Sequence, residues 1–169
     1  CNGWYYLFYT GFCKEDLSTR YLGYAVADTH LDLGTVLAKV LFETEQARDA
    51  WDNRMMGDTN IVCRQEKWGS IYKSKRAEDG PWQTHVGSAT AESITEPYTK
   101  YPDNPLFGGH AFSVWVHRHG LATTRGRYWS EILWSEDRIN FVDTGGRIEN
   151  QSTGFYCPEN FGNGINNRG

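Results

Sequence analysis

Apolar residues alternate with polar or small ones over several short stretches, the period-two signature of a half-buried strand. "GWYYLFYTGFC" (3–13), "YLGYAVAD" (21–28) and "GTVLAKVLFE" (34–43) read this way. In the last, Val36, Ala38, Val40 and Phe42 alternate against Leu37, Lys39 and Leu41. At Thr44 the period changes. Ala47, Ala50, Trp51 and Met55 fall at helical spacing behind a capping threonine and an acidic first turn. Arg48 and Asp52 stand one turn apart and Gly57 supplies a stop, which predicts a helix at about 44–56. "NIVCRQ" (60–65) and "GSIYKSK" (69–75) return to strands. Across 76–107, which holds four of the five prolines, periodicity is lost, and a long loop region with at most a short strand near 83–88 is expected. Strands resume at 110–118, about 127–134, 138–142, 146–149 and 153–157, and "NFGNGINNRG" reads as a loose tail over about 160–169. There is no internal repeat. The pattern predicts a single domain over 1–169 of α+β class, a mainly antiparallel sheet with one helix packed on it.

Composition narrows the class further. The chain is long enough to bury a core, and 39% hydrophobic against 22% charged residues is globular usage. The net charge of −4, with no basic cluster, argues against a nucleic-acid footprint. No run of 18 apolar residues exists, so no membrane-spanning helix is expected. Cys1, Cys13, Cys63 and Cys157 are even in number and form no CxxC pair. With a chain that starts at Cys1 rather than Met, they predict two disulfides and a secreted, extracellular protein. Three pairings are open. The sequon Asn150-Gln151-Ser152 is compatible with that compartment.

The chemistry-bearing stretch is "GGHAFSVWVHRHG" (108–120), with three of the five histidines. As one strand it would set Phe112, Val114 and Val116 toward the core and Trp115, His117 and His119 on the other face. His117 and His119 would then lie about 7 Å apart, a spacing that suits two ligands of one metal ion. No HExxH is present, and the simpler reading is a solvent-facing pair, so neither metal nor cofactor is expected. No G-x-S-x-G, GxGxxG or GxxxxGK[ST] occurs either. Glu131, Glu136 and Asp137 could pair for glycoside cleavage, but a charged strand end is the simpler reading.

"YPDN" (101–104), "DRINF" (137–141) and "GFYC" (154–157) resemble, in order and type, the small secreted fungal ribonucleases with guanine preference. The resemblance implies a phosphodiesterase in which Glu or His takes the 2′-hydroxyl proton, a second His protonates the leaving oxygen and Arg steadies the phosphate. Arg138 matches the arginine, Phe155 the late aromatic, and Glu131 the glutamate, although it stands closer to Arg138 than in the family. The histidines depart from it: Asp103 replaces the His after Tyr-Pro, and none follows His119. The resemblance covers about 98–157 and implies a ribonuclease-like scaffold without the catalytic set, similar to secreted fungal effectors.

The expectation is therefore a secreted, disulfide-stabilised monomer of effector or virulence type, binding a protein or carbohydrate partner without catalysis. Its binding residues would be Trp82, Trp115, Trp129, Tyr98 and Tyr101. The alternatives are a ribonuclease-like hydrolase drawing on His110, His117, His119, Glu131 and Arg138, and a carbohydrate-binding module using exposed rings.

Overall fold

The computed structural model describes residues 3–12, 14–15, 20–33, 39–45, 47–80, 83–95, 97–109, 113–126 and 129–149. They form twelve strands in three consecutive antiparallel meanders. The first runs β1 (Tyr5–Phe12), β2 (Arg20–Ala27), β3 (Lys39–Phe42). The second runs β4 (Met55–Arg64), β5 (Lys67–Lys75), β6 (His85–Ala91), β7 (Thr99–Lys100), with β8 (Phe107–Gly108) also paired to β6. The third runs β9 (Val114–His117), β10 (Gly120–Arg125), β11 (Trp129–Ser135), β12 (Val142–Glu149). A single parallel pair, Arg20 with Met55, joins the first two meanders into one eight-stranded sheet. Successive up-and-down meanders packed on one another are the blades of a propeller-type fold.

Faces follow from register. Tyr6, Phe8 and Thr10 of β1 stand opposite Val26, Tyr24 and Leu22 of β2, so these six share one face. Leu22 and Tyr24 on that face are buried in one cluster with Leu41, Met56, Tyr72, Ala89, Ala91 and Tyr98. The first and second blades therefore pack face to face, sealed by Phe42 against Tyr72 at 5.0 Å and Trp51 against Tyr72 at 5.6 Å between ring centroids. Gly87 is needed here, because a Cβ on it would meet the Trp51 ring at 2.6 Å. The other side of the second blade meets the third blade. Phe107 packs edge-on against Phe141 at 5.3 Å, and Gly69 lies under Arg138.

The α+β expectation fails. The described residues contain no helix: 44–45 and 47–54 run through turns and irregular backbone, and Met55 and Met56 already belong to β4. The periodicity of that stretch is real, but stronger partners lie elsewhere. Asp52 is fully buried, and its carboxylate accepts from Lys100 of β7 at 2.8 Å rather than pairing with Arg48. Trp51 lies over Gly87. Asn53 donates to the Arg48 carbonyl at 2.6 Å and accepts from the Ala77 amide at 2.8 Å, consuming backbone groups that a helix would need. The stretch 76–107 contains β6, β7 and β8.

Cys63 carries a free thiol on the exposed side of β4, which corrects the expected two-disulfide frame at this residue. Cys1, Cys13 and Cys157 lie outside the described residues, as do the 153–157 strand and the 160–169 tail.

Candidate functional site

The predicted site residues do not gather in one place. Strand β9 ends at His117, and Arg118 turns the chain with φ 54, so His119 belongs to the β9–β10 turn and not to a strand face. His117 and His119 nevertheless border one open groove of about 560 Å³ with Trp115, Ala122, Ile132 and Trp134. The His119 ring stands edge-on to Trp134 at 5.2 Å, and its Nε2 lies 3.8 Å from Glu136. No group of three His, Cys, Asp or Glu suited to a metal occurs among the described residues. Glu131 is engaged elsewhere, accepting from Arg125 Nε at 2.6 Å.

Arg138 is a clamp. It is buried, and its guanidinium donates to the carbonyls of Arg64 and Lys67. These flank the β4–β5 turn, whose central residues Gln65 and Glu66 both have positive φ (53 and 62). That turn shape suits Asn-Gly, so here it leans on Arg138 for support. Burial lowers the Arg138 pKa, and Arg64 nearby adds to the effect. Asp137 is also committed, accepting from the amides of Ile139 and Asn140 at 2.9 and 2.7 Å. Neither residue is placed to hold a phosphate.

Of the expected binding aromatics, Tyr98 is core: 7% exposed, its hydroxyl donating to the Ile94 carbonyl at 3.2 Å, and its pKa raised by burial. Tyr101 is half-buried and its amide donates to Ser88 at 2.9 Å. Trp115 is 38% exposed in the groove, and Trp129 opens β11 opposite Glu149. Trp82 and His110 lie outside the described residues.

A different corner brings the three blades together. Between the pairs Gly57–Lys73 and Asn60–Ile71, two residues of β4, Asp58 and Thr59, face the single residue Tyr72. This is a β-bulge, a device that re-aims a side chain. Asp58 sits there with φ 50, a left-handed conformation that costs a non-glycine residue about 1 kcal/mol or more and collects at functional sites. Its amide donates to Thr10 Oγ1 of β1 at 3.2 Å. Two residues on, Asn60 Oδ1 accepts from the Val114 amide of β9 at 3.2 Å. The Asp58 carboxylate accepts from Lys73 of β5, whose side chain is 6% exposed against 34% for Asp58. The bulge thus presents a partly open carboxylate, held from behind by a buried ammonium, where β1, β4 and β9 converge. Period-two reading started this strand at residue 60 and passed over Asp58. The signal for it was Gly57-Asp58 set between two methionines and Ile61-Val62, a polar interruption of an apolar run.

No family model matches the chain, and no curated protein matches its sequence. Solved structures do match its fold. A family 117 glycoside hydrolase, Zg3597, from the marine bacterium Zobellia galactanivorans superposes with TM-score 0.67 at 20% identity, over 85% of this chain and 43% of that one. The RS223 β-xylosidase gives TM-score 0.68 at 12% identity over 88% and 56%. A GH43_1 enzyme from Xanthomonas citri, complexed with xylotriose, gives 0.62 at 13% over 88% and 52%. The likeness is one of fold. The chain spans about half the length of these structures. It replaces the ribonuclease and fungal-effector resemblance, whose matched residues Glu131 and Arg138 are here a salt-bridged strand residue and a turn clamp.

Proposed function

We propose that the protein is carbohydrate-active and binds saccharide at the corner where β1, β4 and β9 meet, with Asp58 as the contacting carboxylate. The observation that carries this is the aim of Asp58: a bulge and a left-handed backbone spend stability to present one partly open carboxylate at the junction of three blades. A carboxylate accepts strong hydrogen bonds from vicinal sugar hydroxyls, and the contact with Lys73 fixes its position. The glycoside hydrolases among the fold neighbours favour a saccharide over other polyols. Glycoside cleavage uses two carboxylates. Asp58 would be one of such a pair, and this chain alone is assigned saccharide binding.

The test is ligand-observed NMR against xylo-, arabino-, manno- and galacto-oligosaccharides. Binding by the wild type, lost at least tenfold in Asp58→Asn and Lys73→Met and kept in Trp115→Ala, supports the corner. Binding that survives Asp58→Asn but not Trp115→Ala would move the site to the groove. No binding across the four classes would sink the proposal.

A further inference from the structure

The groove on the third blade lies apart from the Asp58 corner, and its lining has a chemistry of its own. Trp115, Ala122, Trp134 and Val142 are direct cross-strand partners and draw one row across β9, β10, β11 and β12. Strand spacing sets Trp115 and Trp134 about 10 Å apart at Cα, with the small Ala122 between them on the groove floor. The two indoles are held differently. Trp134 is fixed: its ring lies over Gly120, where a Cβ would meet it at 2.8 Å, and its Nε1 donates to the His117 carbonyl at 3.5 Å. His119 stands edge-on to the same ring, so Trp134 serves as a wall. Trp115 is 38% exposed, and its indole makes no ring contact or hydrogen bond among the described residues. At the end of the groove Arg118 turns the chain with φ 54, a left-handed conformation that favours glycine, yet the residue there is a cation. Arg118 is exposed and has no acidic partner among the described residues. His119 differs, because Glu136 faces it at 3.8 Å, so the unmatched charge at this rim is that of Arg118. None of the residues lining the groove is acidic.

We infer that this groove binds an acidic oligosaccharide, with a sugar ring stacked on Trp115 and a uronate carboxylate held by Arg118. An indole offers a flat apolar face with a polar edge. That suits a sugar ring, which carries C–H groups on its faces and hydroxyls around its rim. His117 at the border adds a side chain able to bond those hydroxyls. A guanidinium meets a planar carboxylate through two parallel hydrogen bonds, a match that a neutral sugar cannot use. The open volume of about 560 Å³ admits a short oligosaccharide. The choice of a sugar rests on the carbohydrate-active reading proposed above. The place and the preference for negative charge rest on the groove alone.

Isothermal titration with oligogalacturonate and with a neutral galacto-oligosaccharide of equal length tests it. In Asp58→Asn, which disables the corner, the oligogalacturonate should still bind, tighter than the neutral sugar by about tenfold or more, the range of one charge-assisted contact. Arg118→Gln should erase that preference and Arg118→Lys should keep part of it. Trp115→Ala should abolish the binding while far-UV circular dichroism stays unchanged. Added salt should weaken oligogalacturonate binding in the wild type and leave Arg118→Gln unaffected. No binding of oligogalacturonate, or equal binding of the two sugars in Asp58→Asn, overturns the inference. So does oligogalacturonate binding that Asp58→Asn removes, which would place it at the corner, and so does binding that survives Trp115→Ala. Neutral sugars that fail to bind the wild type sink the corner alone, since the groove is tested by the acidic sugar in the Asp58→Asn protein.

Discussion

Two acid–lysine pairs lie in the same part of the fold, and they differ in which partner is buried. In Asp52–Lys100 the carboxylate is wholly buried and the ammonium makes three contacts: 2.8 Å to Asp52, 2.9 Å to Glu45 and 2.8 Å to the Glu43 carbonyl. Lys100 thereby ties the segment before β4 to the short strand β7. In Asp58–Lys73 the order is reversed: the ammonium is buried and the carboxylate is partly open, on a backbone bent to put it there. A pair that serves only the fold has no reason to hold its acid in a strained, wetted position. The first pair is a staple; the second is a mount.

The largest expected effect breaks the staple. Lys100→Met leaves Asp52 buried without its counter-charge and should cost about 3–5 kcal/mol in urea unfolding. The double variant Asp52→Leu with Lys100→Met removes both charges and should recover most of that loss, since an apolar pair of similar volume is often neutral. If Lys100→Met costs under about 1 kcal/mol, the pair is screened as surface pairs are and the contrast with Asp58 collapses. Saccharide binding per folded molecule should be unchanged in both variants.

Next comes the mount, where the comparison predicts the opposite ratio of effects. Asp58→Asn keeps an oxygen to accept from Lys73, so stability should fall by only about 1–2 kcal/mol, while saccharide binding should be lost. The backbone strain is isolated in a Lys73→Met background, where no buried ammonium is left unpaired. There Asp58→Gly relieves the positive φ of 50 and should be more stable than Asp58→Ala by about 1 kcal/mol, with binding lost in both. Equal stability of the two double variants would sink the strain argument.

How far the sequence anticipated this depends on whether neighbours along the chain or across it decide a residue's place. Strands β1, β2 and β5 were legible because alternation alone puts Phe8, Tyr24 and Tyr72 inward. The false helix at 44–56 had a genuine 3.6-residue pattern, but Trp51 and Asp52 are held by Gly87 and Lys100, more than 30 residues away by number, and no local period encodes that. His119 was placed on a strand face because nothing local announces a turn at Arg118, a non-glycine residue with φ 54. Asp58 was passed over for the same reason that makes it interesting: a bulge is a break in the pattern by which strands are read. Trp115 is exposed, and the cross-strand row it shares with Ala122, Trp134 and Val142 is set by register between strands, which no local pattern encodes.

Asp137 supplies a third carboxylate that sharpens the contrast, because it has no lysine at all. Its oxygens accept from two backbone amides, from Asn140 Nδ2 at 2.6 Å and from Ser135 Oγ at 2.9 Å, which closes the 135–140 turn next to the Arg138 clamp. These bonds favour the ionised form, the Asn140 amide most of all, and hold its pKa well below the ordinary aspartate range. The folded state therefore binds fewer protons than the unfolded chain at mildly acid pH. The stabilisation from Asp137 is full above the unfolded aspartate value, near 4, and is lost as pH falls below that toward the folded value. Asp137→Asn should flatten the acid limb of a stability–pH profile measured by urea unfolding between roughly pH 2 and 5. At neutral pH it should cost on the order of 1 kcal/mol. Asp137 is largely exposed, so this effect should be the smallest of the three. An acid limb of unchanged slope in Asp137→Asn would place that pH dependence in other carboxylates, first in Asp143, whose pKa the hydrogen bond from Arg147 lowers.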